Sequence, residues 1–340
     1  MKNKLLIMAS MAAAVGIGSF AWAQQPRPFG GSNKDPSASQ AARKFTPRAP
    51  SLIPVFTSAQ YGAAGTGLRN RQSATINLSG VIPPVQAAYL YWGVINPSPP
   101  PDPPYLSHVI FRQVGGTPQI LAGTLLATAP SPCWGGDHTS YYRALVSSIV
   151  PGNGLYEVQI APPGVGITDG SDPWVEANST LPQWEGASLI VVGTGPSTVN
   201  ITDSIAGTPM TTPPIPPFSY TVNLYGTPSG SDAIWTTINA DGQIGASVIA
   251  GNNLYDEQVT INGTQVSGPN EGPNAHDTDS DYNGNDASPL PQLWDTRTHD
   301  LTRAGVTGIV ESGSLAVTVS SLSGGPSLDC IEVVANVVSF

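Results

Sequence analysis

Short apolar runs that end at glycine or proline recur along the chain from residue 74 onward, and they predict β-strands. The clearest run, Gly186 to Gly193, has the sequence GASLIVVG, in which four aliphatic residues follow one another without polar alternation. Such a run is typical of a strand buried on both faces, although four residues alone do not distinguish a strand from a buried helix. A second run, Ile331 to Val334 (IEVV), favours the strand because it occurs in a similar apolar context near the end of the chain.

Further segments occur twice, in the same order, which indicates an internal duplication. The matching pairs are ATINLSG (74–80) with YTVNLYG (220–226), 109–115 with VTING (259–263), GLYEVQI (154–160) with GSLAVTV (313–319), and LIVV (189–192) with IEVV (331–334). The two copies lie roughly 150 residues apart, a spacing that predicts a duplicated domain rather than a short-repeat solenoid.

The duplication and the density of turn residues predict an all-β protein with two tandem β-sandwich domains. Gly (37) and Pro (34) are frequent among the 340 residues, so long helices are not expected. About eight strands in each unit are compatible with a jelly roll or an Ig-like sandwich, and the long loops between some strands favour the jelly roll. The expected organisation is a signal peptide at 1–23, a disordered linker at 24–51, and sandwiches at 52–205 and 206–340.

The first residues have the features of a secretory signal peptide. Lys2 and Lys4 provide the positive start, Leu5 to Phe20 the apolar segment, and Ala21-Trp22-Ala23 a cleavage site. We therefore expect a secreted protein that is extracellular or attached to the cell surface, with the periplasm as the alternative compartment. After cleavage no run approaches the ~18 apolar residues of a membrane helix, so no transmembrane segment is expected.

Charge argues against nucleic acid as a partner. Only 11% of the residues are charged, the formal net charge is −10, and all four lysines lie before residue 50. Because phosphate binding needs Lys and Arg, an acidic body without lysine is poorly suited to it.

The two cysteines, Cys133 and Cys330, are expected to form a disulfide if the chain is exported, with two separate buried thiols as the alternative. Asp137-His138, close to Cys133, also allows a Cys-His catalytic pair, but a disulfide would consume the thiol.

A segment between two of the repeated strands is a candidate ligand-contact loop. Residues 161–185 form a much longer connection than the corresponding one in the second half. Long loops on rigid sandwiches often carry function, and this one combines aromatic with acidic residues. An ordinary loop fixed by its aromatic side chains is the alternative. The residues concerned are Asp169, Asp172, Trp174, Glu176 and Trp184.

The sequence DTDSDYNGND (277–286) predicts a calcium site. From Asp279 it follows the pattern D-x-D-x-N-G, in which alternate oxygen ligands and a glycine let a loop curl around a hard cation. The twelfth position is Leu290 rather than Glu, so the loop is not an EF-hand, and a solvated acidic turn is the alternative. The candidate Ca²⁺ ligands are Asp277, Asp279, Asp281, Asn283, Asn285 and Asp286.

Catalytic motifs do not identify a reaction. The chain has no G-x-S-x-G and no P-loop, and its four histidines lack metal-ligand spacing. The segments AYLYWG, YYRALVSSIVPGNGLYEV, EGASLIVVG and CIEVVANVVSF resemble those of uncharacterised secreted bacterial and archaeal surface proteins with tandem jelly-roll-like domains. The resemblance implies a non-catalytic role in adhesion, assembly or glycan contact, with cell-surface or matrix components as partners. A secreted hydrolase acting on a polysaccharide or a peptide is the alternative.

Overall fold

The fold consists almost entirely of β-strands. The computed structural model describes residues 46–47, 53–68, 71–130, 137–161, 181–207, 217–228, 232–240, 257–267, 294–321 and 331–340. Within these ranges the helical elements are a 3-10 turn at Pro104–Ser107 and a single helical turn, α1, at Ile309–Ser312. No helix of the described ranges is long and apolar enough to cross a membrane.

The strands are numbered in chain order. They are β1 (Thr46–Pro47), β2 (Phe56–Gly67), β3 (Ser73–Leu78), β4 (Ala87–Asn96), β5 (His108–Gln113), β6 (Gln119–Ala122), β7 (Thr124–Pro130), β8 (His138–Leu145), β9 (Gly154–Ile160), β10 (Gln183–Thr194), β11 (Ser197–Gly207), β12 (Phe218–Asn223), β13 (Ile234–Ala240), β14 (Glu257–Ile261), β15 (Thr264–Ser267), β16 (Trp294–Asp300), β17 (Ser314–Ser321) and β18 (Glu332–Ser339).

One large sheet runs through both halves of the chain, and each half adds a small sheet of its own. The large sheet has ten strands in the order β1-β7-β8-β4-β10-β2-β11-β18-β13-β16, all antiparallel. The small sheets have the orders β3-β9-β5-β6 and β12-β17-β14-β15. Within each half, β2–β10 and β11–β18, successive strands alternate between the large and the small sheet except at β5–β6, β7–β8 and β14–β15. Two four-stranded layers connected in this way form a jelly roll.

The two halves repeat the same strand order, which confirms the predicted pair of sandwiches related by duplication. In the large sheet β8-β4-β10-β2 corresponds to β16-β13-β18-β11, and the two small sheets correspond strand by strand. GASLIVVG and the closing IEVV therefore belong to equivalent strands, β10 and β18. Equivalent strands β2 and β11 pair with each other, so the halves are related by a pseudo-twofold axis. The expected boundary at 205/206 falls inside β11.

Three apolar cores separate the layers. The first lies between the first small sheet and the large sheet and contains Trp92, Trp184 and Phe111. The second fills the equivalent space of the second sandwich around Trp235. The third joins residues of β2, β4, β8 and β10 to residues of β11, β13, β16 and β18. The large sheet therefore folds so that its two halves pack face to face, because each half exposes an apolar face opposite its small sheet.

Candidate functional site

A polar cluster closes one end of the first sandwich. It begins where β4 ends and β8 starts, because Asn96 and His138 are directly paired across the two strands. The chain leaves Asn96 in a proline-rich loop whose residues 97–101 are exposed, and Asp102 is the first loop residue that turns inward. Tyr142 lies four residues further along β8 and therefore on the same face of the strand as His138.

The Asp102 carboxylate is the centre of this cluster. Its Oδ1 accepts hydrogen bonds from Asn96 Nδ2 at 2.9 Å and from His138 Nε2 at 2.5 Å, and its Oδ2 accepts one from the Tyr142 hydroxyl at 2.6 Å. Burial by itself would raise the pKa of Asp102, but these hydrogen bonds, together with one from Ser140, lower it well below its usual value. Asp102 is therefore ionised at any physiological pH.

His138 lies between two carboxylates. Its Nδ1 is 3.1 Å from Asp137 Oδ2, while its Nε2 contacts Asp102, and only 4% of its side chain is exposed. Burial would lower the pKa of His138, but the hydrogen bonds and charges of Asp102 and Asp137 outweigh burial and raise it. The two carboxylates thus favour the protonated imidazole, in which both nitrogens donate.

The chemistry open to this cluster is limited by its own hydrogen bonds. A histidine that acts as a general base needs one nitrogen free to face the reacting group. Both nitrogens of His138 face carboxylates, and the pKa of Tyr142 is raised by burial and by the Asp102 charge, so its hydroxyl stays protonated. The cluster is therefore suited to fixing the strand ends and the loop rather than to transferring a proton.

The second sandwich carries the same framework with different polar residues. Trp92 is paired with Tyr142 and stacks on it with ring centroids 5.8 Å apart, and Trp235 is paired with His299 in the same way at 5.3 Å. Counting along the strands from these pairs aligns Asn96 with Asn239 and His138 with Asp295. The third equivalent position has Ser140 in β8 and Arg297 in β16.

The signal for this equivalence is present in the sequence but is easily overlooked. The residues WGVIN (92–96) and WTTIN (235–239) share Trp, Ile and Asn at the same spacing. Because the match is short and the residues that follow it differ, the match by itself does not indicate a site. It would have pointed to the end of β4, and so to Asp102, His138 and Tyr142.

Polar contacts also connect the two halves of the large sheet. Trp294 Nε1 donates to Ser188 Oγ at 2.8 Å, and the Tyr61 hydroxyl lies 2.9 Å from Thr236 Oγ1. The Tyr141 hydroxyl donates to the buried Glu332 carboxylate. In addition, Asp203 accepts hydrogen bonds from Tyr91 and Arg143. Each of these contacts joins a residue of the first half to one of the second.

Of the residues predicted from the sequence to carry function, Trp184 lies in the described part of the chain. It is the second residue of β10 rather than a loop residue, and its side chain is fully buried in the first core. Its indole nitrogen has no hydrogen-bond partner. Asp169, Asp172, Trp174 and Glu176 lie outside the described residues.

The predicted calcium loop and the predicted disulfide also fall outside the described residues, so both stay predictions. The positions concerned are Asp277, Asp279, Asp281, Asn283, Asn285 and Asp286 for the metal, and Cys133 and Cys330 for the disulfide. The aromatic residues of AYLYWG, in contrast, are described and buried, as expected for a central strand.

Comparison with known proteins does not assign a family. No family model matches the chain, and no curated protein is significantly similar to it. A solved structure of peptide-N(4)-(N-acetyl-β-D-glucosaminyl) asparagine amidase aligns with 83% of this chain and 96% of its own, at 12% identity and a TM-score of 0.24. At that TM-score the similarity supports no statement about the fold or the activity of this protein.

Proposed function

We propose that the protein is exported and acts without catalysis at the cell surface or in the extracellular matrix, in adhesion, assembly or glycan contact. The observation that supports this proposal is the closed state of the polar cluster at Asp102. A secreted hydrolase needs carboxylates or a nucleophile that a substrate can reach. Here the Asp102 carboxylate is surrounded by donors from the protein, and both nitrogens of His138 are occupied.

The burial of the tryptophan side chains limits how the protein could contact a glycan. Trp92, Trp184, Trp235 and Trp294 are all fully buried, so none of these rings offers a stacking platform for a sugar at the surface. Contact with a glycan or a protein would then depend on loops and on polar surface groups. This suits a scaffold that presents loops on rigid sheets.

Binding and hydrolysis can be measured on the same preparation. Purified residues 24–340 should bind saturably to an isolated cell envelope or to extracted matrix polysaccharide. The same protein should release neither reducing sugar ends nor new amino groups from polysaccharide and peptide substrates. Asp102→Asn tests the buried carboxylate, since binding through surfaces other than the 97–104 loop should survive this change. Turnover of any of these substrates by the unmodified protein, lost in a carboxylate variant, would favour the hydrolase.

We further propose that Ca²⁺ stabilises the second sandwich through the 277–286 loop. Extracellular calcium modules bind at about 10⁻⁴ to 10⁻³ M, and calcium at a hundred times the dissociation constant adds about 2.7 kcal/mol to stability. The melting temperature should therefore rise by several degrees between chelator and excess calcium. Asp279→Ala combined with Asp281→Ala should remove that rise and leave the melting temperature in chelator nearly unchanged. Equal melting temperatures in the two conditions, with no heat on calcium titration, would reject the site.

A further inference from the structure

The middle of the proline-rich loop after β4 is attached to the sheet through the Asp102 side chain. Residues 97–104 have the sequence PSPPPDPP, and six prolines without N–H groups leave the loop few hydrogen bonds of its own. Ser98 N donates to Asn96 Oδ1 at 3.1 Å, and Asp102 then turns in to meet Asn96, His138 and Tyr142. What happens to the Asp102 cluster therefore decides how firmly the loop is held.

We propose that His138 is a protonation-dependent latch that fastens this loop to the start of β8 when its ring is doubly protonated and loosens it when the ring becomes neutral. The geometry requires this form of the ring, because Nδ1 and Nε2 both contact carboxylate oxygens. A neutral imidazole has one N–H and one bare lone pair. In either tautomer, one of the two carboxylates then faces a lone pair instead of a donor.

Comparison of the two contacts shows which of them is lost first. The contact with Asp102 is 2.5 Å long and the contact with Asp137 is 3.1 Å long. The tautomer that keeps its proton on Nε2 preserves the shorter contact and leaves Asp137 facing the lone pair. The backbone N–H of Asp137 still donates to Asn96 O at 2.7 Å, so the Asp137 carboxylate turns away while its backbone stays paired.

Loss of the ring charge also weakens the contact that is kept. When His138 is protonated, its positive charge lies between two carboxylates. When the ring is neutral, the carboxylates keep their negative charges but the positive charge between them is gone. Among the described residues, Asp102 and Asp137 are the charged groups that contact the ring, and the Tyr142 hydroxyl reaches Asp102 from the same strand. A neutral imidazole makes a weaker hydrogen bond to a carboxylate than an imidazolium does, so the Asp102 contact loosens and the loop can move away from the strand ends.

The direction of the pH effect follows from linkage. The two carboxylates raise the pKa of His138 in the folded protein. The stabilisation is therefore fully present below the unfolded pKa of about 6.5 and is lost as the pH rises through the higher folded value.

The latch is tested by following the ring and the loop in the same pH series. In nuclear magnetic resonance spectra, His138 should titrate above about pH 6.5, with two ring N–H protons on the acid side. Over the same interval, exchange of the Ser98 amide, corrected for its intrinsic pH dependence, should accelerate with a midpoint that matches the titration of the ring. The thermal midpoint should also fall over this interval.

Two variants and an internal control separate the latch from a general effect of pH. His138→Gln should remove the pH dependence of Ser98 exchange, and Asp137→Asn, which keeps the ring, should lower the titration midpoint of His138. His108→Gln is the control, since His108 contacts Pro104 O at 2.8 Å at the other end of the same loop without a carboxylate partner. A His138 midpoint below about 6.5, or a His138→Gln variant with unchanged pH dependence, would overturn the proposal.

Discussion

The two sandwiches have the same strand order but differ in the chemistry at equivalent positions. Both place a tryptophan at the centre of the sheet, stacked on an aromatic ring of the neighbouring strand, and both have an asparagine four residues later in that strand. Beyond this shared framework, the first sandwich has His138 and Ser140 where the second has Asp295 and Arg297. The positions inside the sheet are the same, but the charges on them are different.

The difference indicates which parts of the repeat the fold requires. Stacked rings in the middle of a sandwich fill a fixed volume, so any replacement leaves a cavity or a clash. Polar residues at the open end of the sandwich need only satisfy one another, and several combinations do so. The sequences that follow the two asparagines differ in the same way, because 97–104 contains six prolines and 241–256 contains none.

The packing between the halves is also asymmetric, and substitution of Trp294 tests this asymmetry. This substitution has the largest expected effect on the free energy of unfolding. Trp294 lies one residue before Asp295, at the position that Asp137 has in the first sandwich. Its ring fits against Gly186 and Gly93, where a side chain would collide with it. Trp294→Ala should lower the free energy of unfolding by about 3 to 5 kcal/mol, measured by chemical denaturation, because it opens a large cavity in the third core.

A second substitution shows whether the effect comes from this fit. A Cβ on Gly93 would lie 2.8 Å from the Trp294 ring and 2.9 Å from the Tyr141 ring, so Gly93→Ala should be destabilising alone and part of that cost should be relieved when it is combined with Trp294→Ala. Tyr225→Ala is the control, since this side chain is 62% exposed and its removal should cost no more than about 0.5 kcal/mol. If Trp294→Ala cost as little as the control, Trp294 would not fix the two halves together.

The fold could be predicted from the sequence because apolar runs and their order survive duplication. LIVV and IEVV identify β10 and β18 as equivalent strands, yet the two runs do not occupy the same register. LIVV pairs with the residues of β4 that come before Trp92, since Leu189 is opposite Leu90. IEVV instead pairs with the end of β13, after Trp235, since Val333 is opposite Asn239. Hydrophobic pattern alone therefore assigned the strand but not its register.

The polar cluster could not be predicted in the same way because its members are distant in sequence. Asp102 contacts His138 and Tyr142 only because β4 and β8 are neighbours in the large sheet. In the sequence His138 lies close to Cys133, which suggests a Cys-His pair, whereas in the fold its ring contacts two carboxylates. Face-to-face packing of the large sheet was equally hidden, since it depends on the pseudo-twofold pairing of β2 with β11.

The smallest expected effect is the difference in stability cost between equivalent substitutions of the two central tryptophans, Trp92 and Trp235. Trp235 Nε1 donates to Asn336 Oδ1 at 2.9 Å, whereas Trp92 Nε1 is 3.5 Å from Leu106 O, at the limit of a hydrogen bond. Trp92→Phe and Trp235→Phe remove the same ring volume from equivalent sites. Trp235→Phe should cost about 1 to 2 kcal/mol more by chemical denaturation, because it also removes a strong donor from the buried Asn336. Asn336→Ala in the Trp235→Phe background is the control, since it should add less destabilisation than it does alone. Equal costs for the two tryptophan substitutions would mean that the ring stacking alone stabilises both centres and that the Asn336 contact adds nothing.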